Sequence, residues 1–466
     1  MNIFAKSLLS KSQSGQRMFA SVVRNKLEAK IVEQQKVFSA FKKEHGNTKI
    51  GEITVGSVCG GMRGMAGILY ETSKLHPIQG INYREKDLYE IKEQAPRAEG
   101  GREPLPEGVL WLLLTGEFPN EQELKEFQSE LYQRGHLSKD EERLIQAFPK
   151  DMHPMTQFSM GVMACQPNSK YAKAYRDGVH KSKYWETTLE DALDVCAKVP
   201  RIAGLVFNNS YGHGKPMPDQ DPSLDYSANY ARYLGIEDKN FSELMRLYLV
   251  LHAYIYFIFI NFISDHEGGN VSAHATHLVG STLADPYLSF AAGMNGLAGP
   301  LHGLANQECL RFLLDFQTKY GTKWTEHDIR DYVRDTLASG KVVPGYGHAV
   351  LRQTDPRFMC ELEFANHYIH DDNLVNLVKA CYRVIPDALA QTGKVSNPWP
   401  NVDAGSGALL MHYGLNQFDY YTVLFGVSRA LGVMSAQVWS RALGLPIERP
   451  NSLTLNHLMK KVKNEL

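Results

Sequence analysis

The six cysteines of this chain (Cys59, Cys165, Cys196, Cys309, Cys360 and Cys381) are scattered and form no CxxC pair. Over 466 residues that spacing argues against a disulfide framework or a cysteine zinc site, and for buried, reduced, inert thiols. A reducing compartment fits. Net charge is equally scarce. Fifty Lys and Arg stand against 51 Asp and Glu, leaving −1 and a pI near 7. Nothing marks a general nucleic-acid binder, so any phosphate recognition must come from a small local cluster of Lys and Arg. Alternating strand patterns are rare, residues 50–58 being the one expected short strand. No repeat of about 20–50 residues is present, which argues against a solenoid.

What is there reads mainly as helix. Leu189, Ala192, Leu193 and Cys196 fall on one helical face, as do Ala305, Cys309, Phe312, Leu313 and Phe316. Ser138 before Glu141, Thr187 before Glu190 and Thr325 before Asp328 have capping-box spacing and predict helix starts. The fold class is mainly α, and the length predicts two domains. An apolar content of 43% with 22% charged residues is that of an ordinary globular protein.

Two segments stand apart. Residues 1–27 carry Lys6, Lys11, Arg17, Arg24, Lys26 and five serines, with no acid before Glu28. That composition predicts an organellar transit peptide cleaved around residues 20–30, a frayed basic tail being the alternative. From Leu247 to Ser264 there is no charged residue, and 253–263 reads AYIYFIFINFI. This stretch is barely long enough to cross a bilayer, and a buried helix extension is the expected reading. Uncharged and rich in strand-forming residues, it is an aggregation hazard if exposed.

Three irregular stretches carry the candidate chemistry: Gly299-Pro300-Leu301-His302-Gly303, Val342-Val343-Pro344-Gly345-Tyr346-Gly347-His348 and Asn397-Pro398-Trp399-Pro400-Asn401-Val402-Asp403. Pro fixes φ and Gly permits positive φ, so each holds a proton-handling side chain on stiff, non-repeating backbone. Pro300 suits the first position of a helix, which would put His302 at the positive end of its dipole. A neutral imidazole there could donate to a developing enolate oxygen, or merely cap or pack. Asp403 reads either as a helix N-cap or as a general base in a dry pocket. The loop ending at His348 presents successive backbone N–H groups suited to phosphate or carbonyl oxygens. Arg352, Arg357, Arg429 and Arg449 suggest a site for a multiply anionic small molecule.

These stretches, with Gly60-Gly61-Met62-Arg63-Gly64-Met65 and Ser264-Asp265-His266-Glu267-Gly268-Gly269-Asn270, appear in an order that resembles the citrate synthases of mitochondria, from about Gly51 to the C-terminus. The resemblance implies a homodimer in the mitochondrial matrix and a helical fold of two domains. The large domain would comprise 28–301 and 408–466, and the small one 302–407. It also implies an acyltransferase of the tricarboxylic acid cycle that needs no metal or redox cofactor, acetyl-CoA being a substrate. In that scheme Asp403 takes a proton from the acetyl-CoA methyl group, His302 stabilises the enol or enolate, and His348 polarises the oxaloacetate ketone. His266, Arg357 and Arg429 hold oxaloacetate, with Arg449 supplied by the partner subunit. Arg63, Lys181, Val342, Gly345, Tyr346, Gly347, Arg352, Lys394 and Asn401 are the implied CoA contacts. Nearby readings are a 2-methylcitrate synthase, whose propionyl-CoA differs by one methylene, and a self-assembling structural protein on the same fold.

The chain departs from the animal pattern in four places. Lys181 and Ser396 stand where an arginine and a lysine would contact CoA, predicting weaker, more salt-sensitive CoA binding. Gly405 replaces a histidine beside Asp403. Residues 253–263 interrupt the pattern three residues before His266. Deleting them restores it, which points to a retained intron or gene-model artefact.

Overall fold

In the computed structural model, residues 21–62, 65–212, 215–253, 268–347, 351–393 and 397–463 are described. Helices dominate them. The sheet among the described residues is one antiparallel hairpin, Ser73–His76 paired with Gly80–Tyr83. The mainly α expectation holds.

The Phe418–Leu443 helix organises the larger group of helices. Its residues are buried nearly all round, as expected of a helix at the centre of a core rather than on its surface. It packs on the Tyr184–Tyr211, Pro106–Thr115, Pro154–Ala164, Val271–Ser281 and Pro286–Leu297 helices. Gly426 permits one of these approaches: a Cβ there would lie 2.9 Å from both Met294 Sδ and Phe158. A second group contains Ala305–Tyr320, Glu326–Ala338, Asn373–Ala390 and Asp403–His412, which pack on one another. Pro356–Tyr368 connects them. It packs on Asp403–His412 on one side and on Lys239–Leu251 of the larger group on the other.

Local signals were met unevenly. Ser138 with Glu141 and Thr325 with Asp328 form reciprocal capping boxes. Thr187 caps nothing. Its helix starts at Tyr184, the Thr187 hydroxyl donates to the Tyr184 carbonyl, and Glu190 pairs with Arg134 and Lys170. Residues 50–58 form no strand. Nothing pairs with them, Ile50 and Ile53 are exposed, and Thr54 with Ser57 caps a short helix, Val55–Cys59. Five cysteines are buried as expected, but Cys59 is exposed.

The N-terminal segment divides. Ser21–His45 is a helix whose Val23, Leu27 and Ile31 are buried in the main core. Arg24 pairs with Glu186, and Lys26 with Glu117 and Glu123. Residues 21–27 therefore belong to the folded unit, and a cut beyond Leu27 would remove two core side chains. No helix among the described residues is long and apolar enough to cross a membrane. The Lys239–Leu251 helix ahead of the apolar stretch is buried from Phe241 onward except at Ser242, while residues 254–263 lie outside the described set.

Candidate active site

Two of the irregular stretches are joined along their backbones. Gly347 N–H donates to the Trp399 carbonyl (3.0 Å), Asn401 N–H to the Gly345 carbonyl (2.9 Å) and Asp355 N–H to the Pro400 carbonyl (3.2 Å). Tyr346 and Pro400 form an isolated antiparallel bridge. Gly345 adopts φ 78°, and a Cβ on it would lie 2.7 Å from Cys309 Sγ and 3.0 Å from Ala404. A glycine is required on both counts, of backbone angle and of space. The loop that leads into His348 is thereby clamped to the turn that presents Asp403. His348 itself lies outside the described residues, as do Arg63, His266 and Lys394.

Asp403 is the first residue of the Asp403–His412 helix, after Val402, and its side chain makes no capping bond. It is not the N-cap the sequence allowed. Its backbone N–H donates to Asn401 Oδ1 (2.9 Å). The side chain is buried, and burial pushes its pKa up to about 7, with Arg357 opposing and Asp355 adding. A carboxylate so placed takes up a proton near neutral pH instead of near pH 4.

Arg357, wholly buried, is held by Asp355. Nε donates to Oδ1 (3.0 Å) and Nη2 to Oδ2 (2.6 Å), while Asp355 Oδ1 also accepts the Arg357 backbone N–H. Asp355-Pro356-Arg357 is thus both the N-cap of a helix and the holder of its guanidinium. An Asp before Pro at a helix start could have signalled this, but sequence reasoning passed over Asp355.

His302 sits differently from its expected place. Pro300–Gly303 is a single helical turn, broken from Ala305–Tyr320 at Leu304, so His302 has no long helix of its own. The N-terminus of Val271–Ser281 serves instead. The backbone N–H of Ser272 donates to His302 Nε2 (3.2 Å), and the Ser272 hydroxyl lies 3.0 Å from the same nitrogen. A backbone amide can only donate, so Nε2 is unprotonated and the neutral ring carries its proton on Nδ1. Burial, reinforced by the charge of Arg429, pushes this histidine down to about 3.

Asn270 ties the group together. Its Oδ1 accepts from Arg429 Nη1 (2.9 Å), from Ser272 Oγ (3.0 Å) and from Ala273 N–H as the helix cap (3.0 Å). Arg429 is wholly buried, with its guanidinium 4.9 Å from the centre of Phe425. His302 and His252 also contact that ring, at 6.4 and 5.8 Å. Ser272 and His252 were not found from the sequence, and Asn270 entered it only as the end of a motif, without a role. The Asn270-Val271-Ser272 cap was the available signal for Asn270 and Ser272.

Other predicted residues are more peripheral. Asn401 is buried and serves the turn, whereas Lys181, Val342, Arg352 and Arg449 are exposed. The structure does not bring these four to Asp403 or His302 by any hydrogen bond. Among the described residues no cluster of three or more His, Cys, Asp or Glu is placed to hold a metal ion.

Comparisons with known proteins agree on one family. Residues 61–451 match the family model described as citrate synthase, C-terminal domain. A probable mitochondrial citrate synthase of Glossina morsitans morsitans is 53% identical, over 95% of this chain and 93% of its own. Mitochondrial citrate synthase 4 of Arabidopsis thaliana is 51% identical, over 94% and 90%. The solved citrate synthase of Pyrobaculum aerophilum superposes with a TM-score of 0.73 at 26% identity, covering 88% of this chain and 97% of that one.

Proposed function

The chain belongs to the citrate synthase family, and from that premise we propose how its residues share the work. It catalyses citrate formation, and the family's substrates are acetyl-CoA and oxaloacetate. Asp403 is the general base that removes a methyl proton from acetyl-CoA. His302, neutral and protonated on Nδ1, donates to the thioester oxygen as negative charge gathers there. His348 polarises the oxaloacetate ketone, and Arg357, Arg429 and His266 hold its carboxylates. The new carbon–carbon bond gives citryl-CoA, and water then releases citrate and CoA.

A thioester α-proton is too weakly acidic for one carboxylate alone. A general base contributes about 10²–10⁴-fold and an oxyanion donor about 10²–10³-fold. Positioning two substrates removes roughly 7–11 kcal/mol of barrier. The scheme needs all three. The observations that support it are a buried Asp403 that ionises at about 7, a buried neutral His302, and a buried His252 that lies in the field of both Arg357 and Arg429. The test is thiol release from acetyl-CoA. It should require oxaloacetate and fall by about 10²–10⁴-fold in Asp403→Asn; release without oxaloacetate would contradict the scheme.

Around this centre, residues 302–407 form a small domain that closes on a large domain of 28–301 and 408–466, expelling water. The active form is a homodimer in which exposed Arg449 reaches the partner's oxaloacetate. CoA lies along Arg63, the 342–347 loop, Arg352, Lys394 and Asn401, with Lys181 arriving across the dimer. No metal or redox cofactor takes part. The protein is mitochondrial, as its relatives' names are, and works in the matrix. Its leader is cut ahead of Val23, which the core requires.

A further inference from the structure

Glu361 lies one turn beyond Arg357 on the Pro356–Tyr368 helix and is 3% exposed. Neither of its carboxyl oxygens has a hydrogen-bond partner. The nearby cations are spent elsewhere. Arg357 is bound by Asp355, and Lys379 Nζ donates to the Ala365 carbonyl (3.4 Å). The carboxyl rests on the backbone of the helix that begins at Asp403. A Cβ on Gly405 would lie 2.8 Å from Glu361 Oε2 and 3.3 Å from the Phe358 ring, so the missing side chain is what admits the acid. Beside it is a void of about 10 Å³, bounded by Phe358, Leu362, Val378, Gly405 and Leu409.

An unpaired carboxylate is far costlier in such a place than a neutral acid. The groups facing Glu361 are of both signs, and among them the carboxyl groups of Asp403 and Asp355 favour the acid. The full set is Asp355 and Arg357 from its own helix, Asp403, Tyr248 from Lys239–Leu251, Cys309 from Ala305–Tyr320 and Lys379. Burial, then Asp403 and Asp355, raise its proton affinity well above the carboxylate norm, and Arg357 opposes.

We propose that Glu361 is a positioning residue for the general base. Seated as a neutral acid against the Gly405 backbone, it keeps a single negative charge at the head of the Asp403–His412 helix. Its ionisation, with the proton passing to solvent, sets the alkaline limit of enolisation. A second negative charge there opposes both the charge growing on the thioester oxygen and the binding of a dicarboxylate.

The inference rests on Asp403 as base, and the two separate cleanly. A loss under tenfold in Asp403→Asn would sink that reading, whereas Glu361 is tested by the alkaline limb of kcat/KM for acetyl-CoA. Glu361→Gln should raise the ratio of the alkaline to the neutral value by about threefold or more, with the acid limb in place. Glu361→Asp should restore the wild-type limb. An unchanged alkaline limb in Glu361→Gln overturns the proposal. In the wild-type homodimer, infrared spectra should show a protonated-acid carbonyl band at neutral pH that is missing from Glu361→Gln and fades over the interval in which kcat/KM falls. Its absence at neutral pH also overturns the proposal.

Discussion

His302 and Asp403 are buried to nearly the same degree, yet burial moves them in opposite directions, down to about 3 and up to about 7. Desolvation favours the uncharged form of each. For the imidazole that means a permanently neutral donor. For the carboxylate it means a base poised at working pH. One dry environment thus fits two side chains to opposite tasks. What distinguishes them is the local partner: a backbone N–H fixes the histidine tautomer, while the aspartate carboxylate answers to burial and to the opposed charges of Arg357 and Asp355.

The comparison breaks most severely if the base is removed. Asp403→Asn keeps shape and burial but cannot accept the proton, and kcat should fall by about 10²–10⁴-fold. Circular dichroism should be unchanged, and a loss under tenfold would contradict the role. Removing the donor is next. His302→Ala should cost about 10²–10³-fold in kcat, with KM for oxaloacetate less affected.

Ser272→Ala sharpens the comparison, because it removes the hydroxyl but leaves the backbone N–H on Nε2. A loss below about tenfold is expected. A loss equal to that of His302→Ala would mean that the hydroxyl, not the amide, sets the tautomer. Gly345→Ala tests the scaffold. Its Cβ meets Cys309 and Ala404 at positive φ, and should destabilise the protein by about 1–3 kcal/mol in urea unfolding. The smallest effect concerns the chain itself. Peptide mass spectrometry across His252 to Asn270 should find the peptide that lacks residues 253–263, and recovery of those 11 residues would retire the artefact reading.

The helical class and the three stiff stretches were legible because Pro, Gly and apolar spacing act locally. The pairing of Gly347 with Trp399 was not, since it joins backbone groups 52 residues apart that no side-chain pattern marks. His302 shows the same limit. Its neutrality was foreseen from a helix N-terminus, but the helix that supplies the amide is Val271–Ser281, not its own. The expected strand at 50–58 failed for a related reason. Alternation makes a strand only where another edge pairs with it, and here none does. Basic composition did not reveal that Val23 and Leu27, inside the stretch read as a transit peptide, pack in the main core.

The pH dependence of kcat/KM for acetyl-CoA at saturating oxaloacetate tests the central claim most directly. Asp403 is active only when ionised, so the rate should fall as pH drops through about 7, on a one-proton limb. His302 stays neutral until about 3 and adds nothing in that window. A rate that stays flat down to about pH 5, where an ordinary carboxylate would still be ionised, would contradict the account.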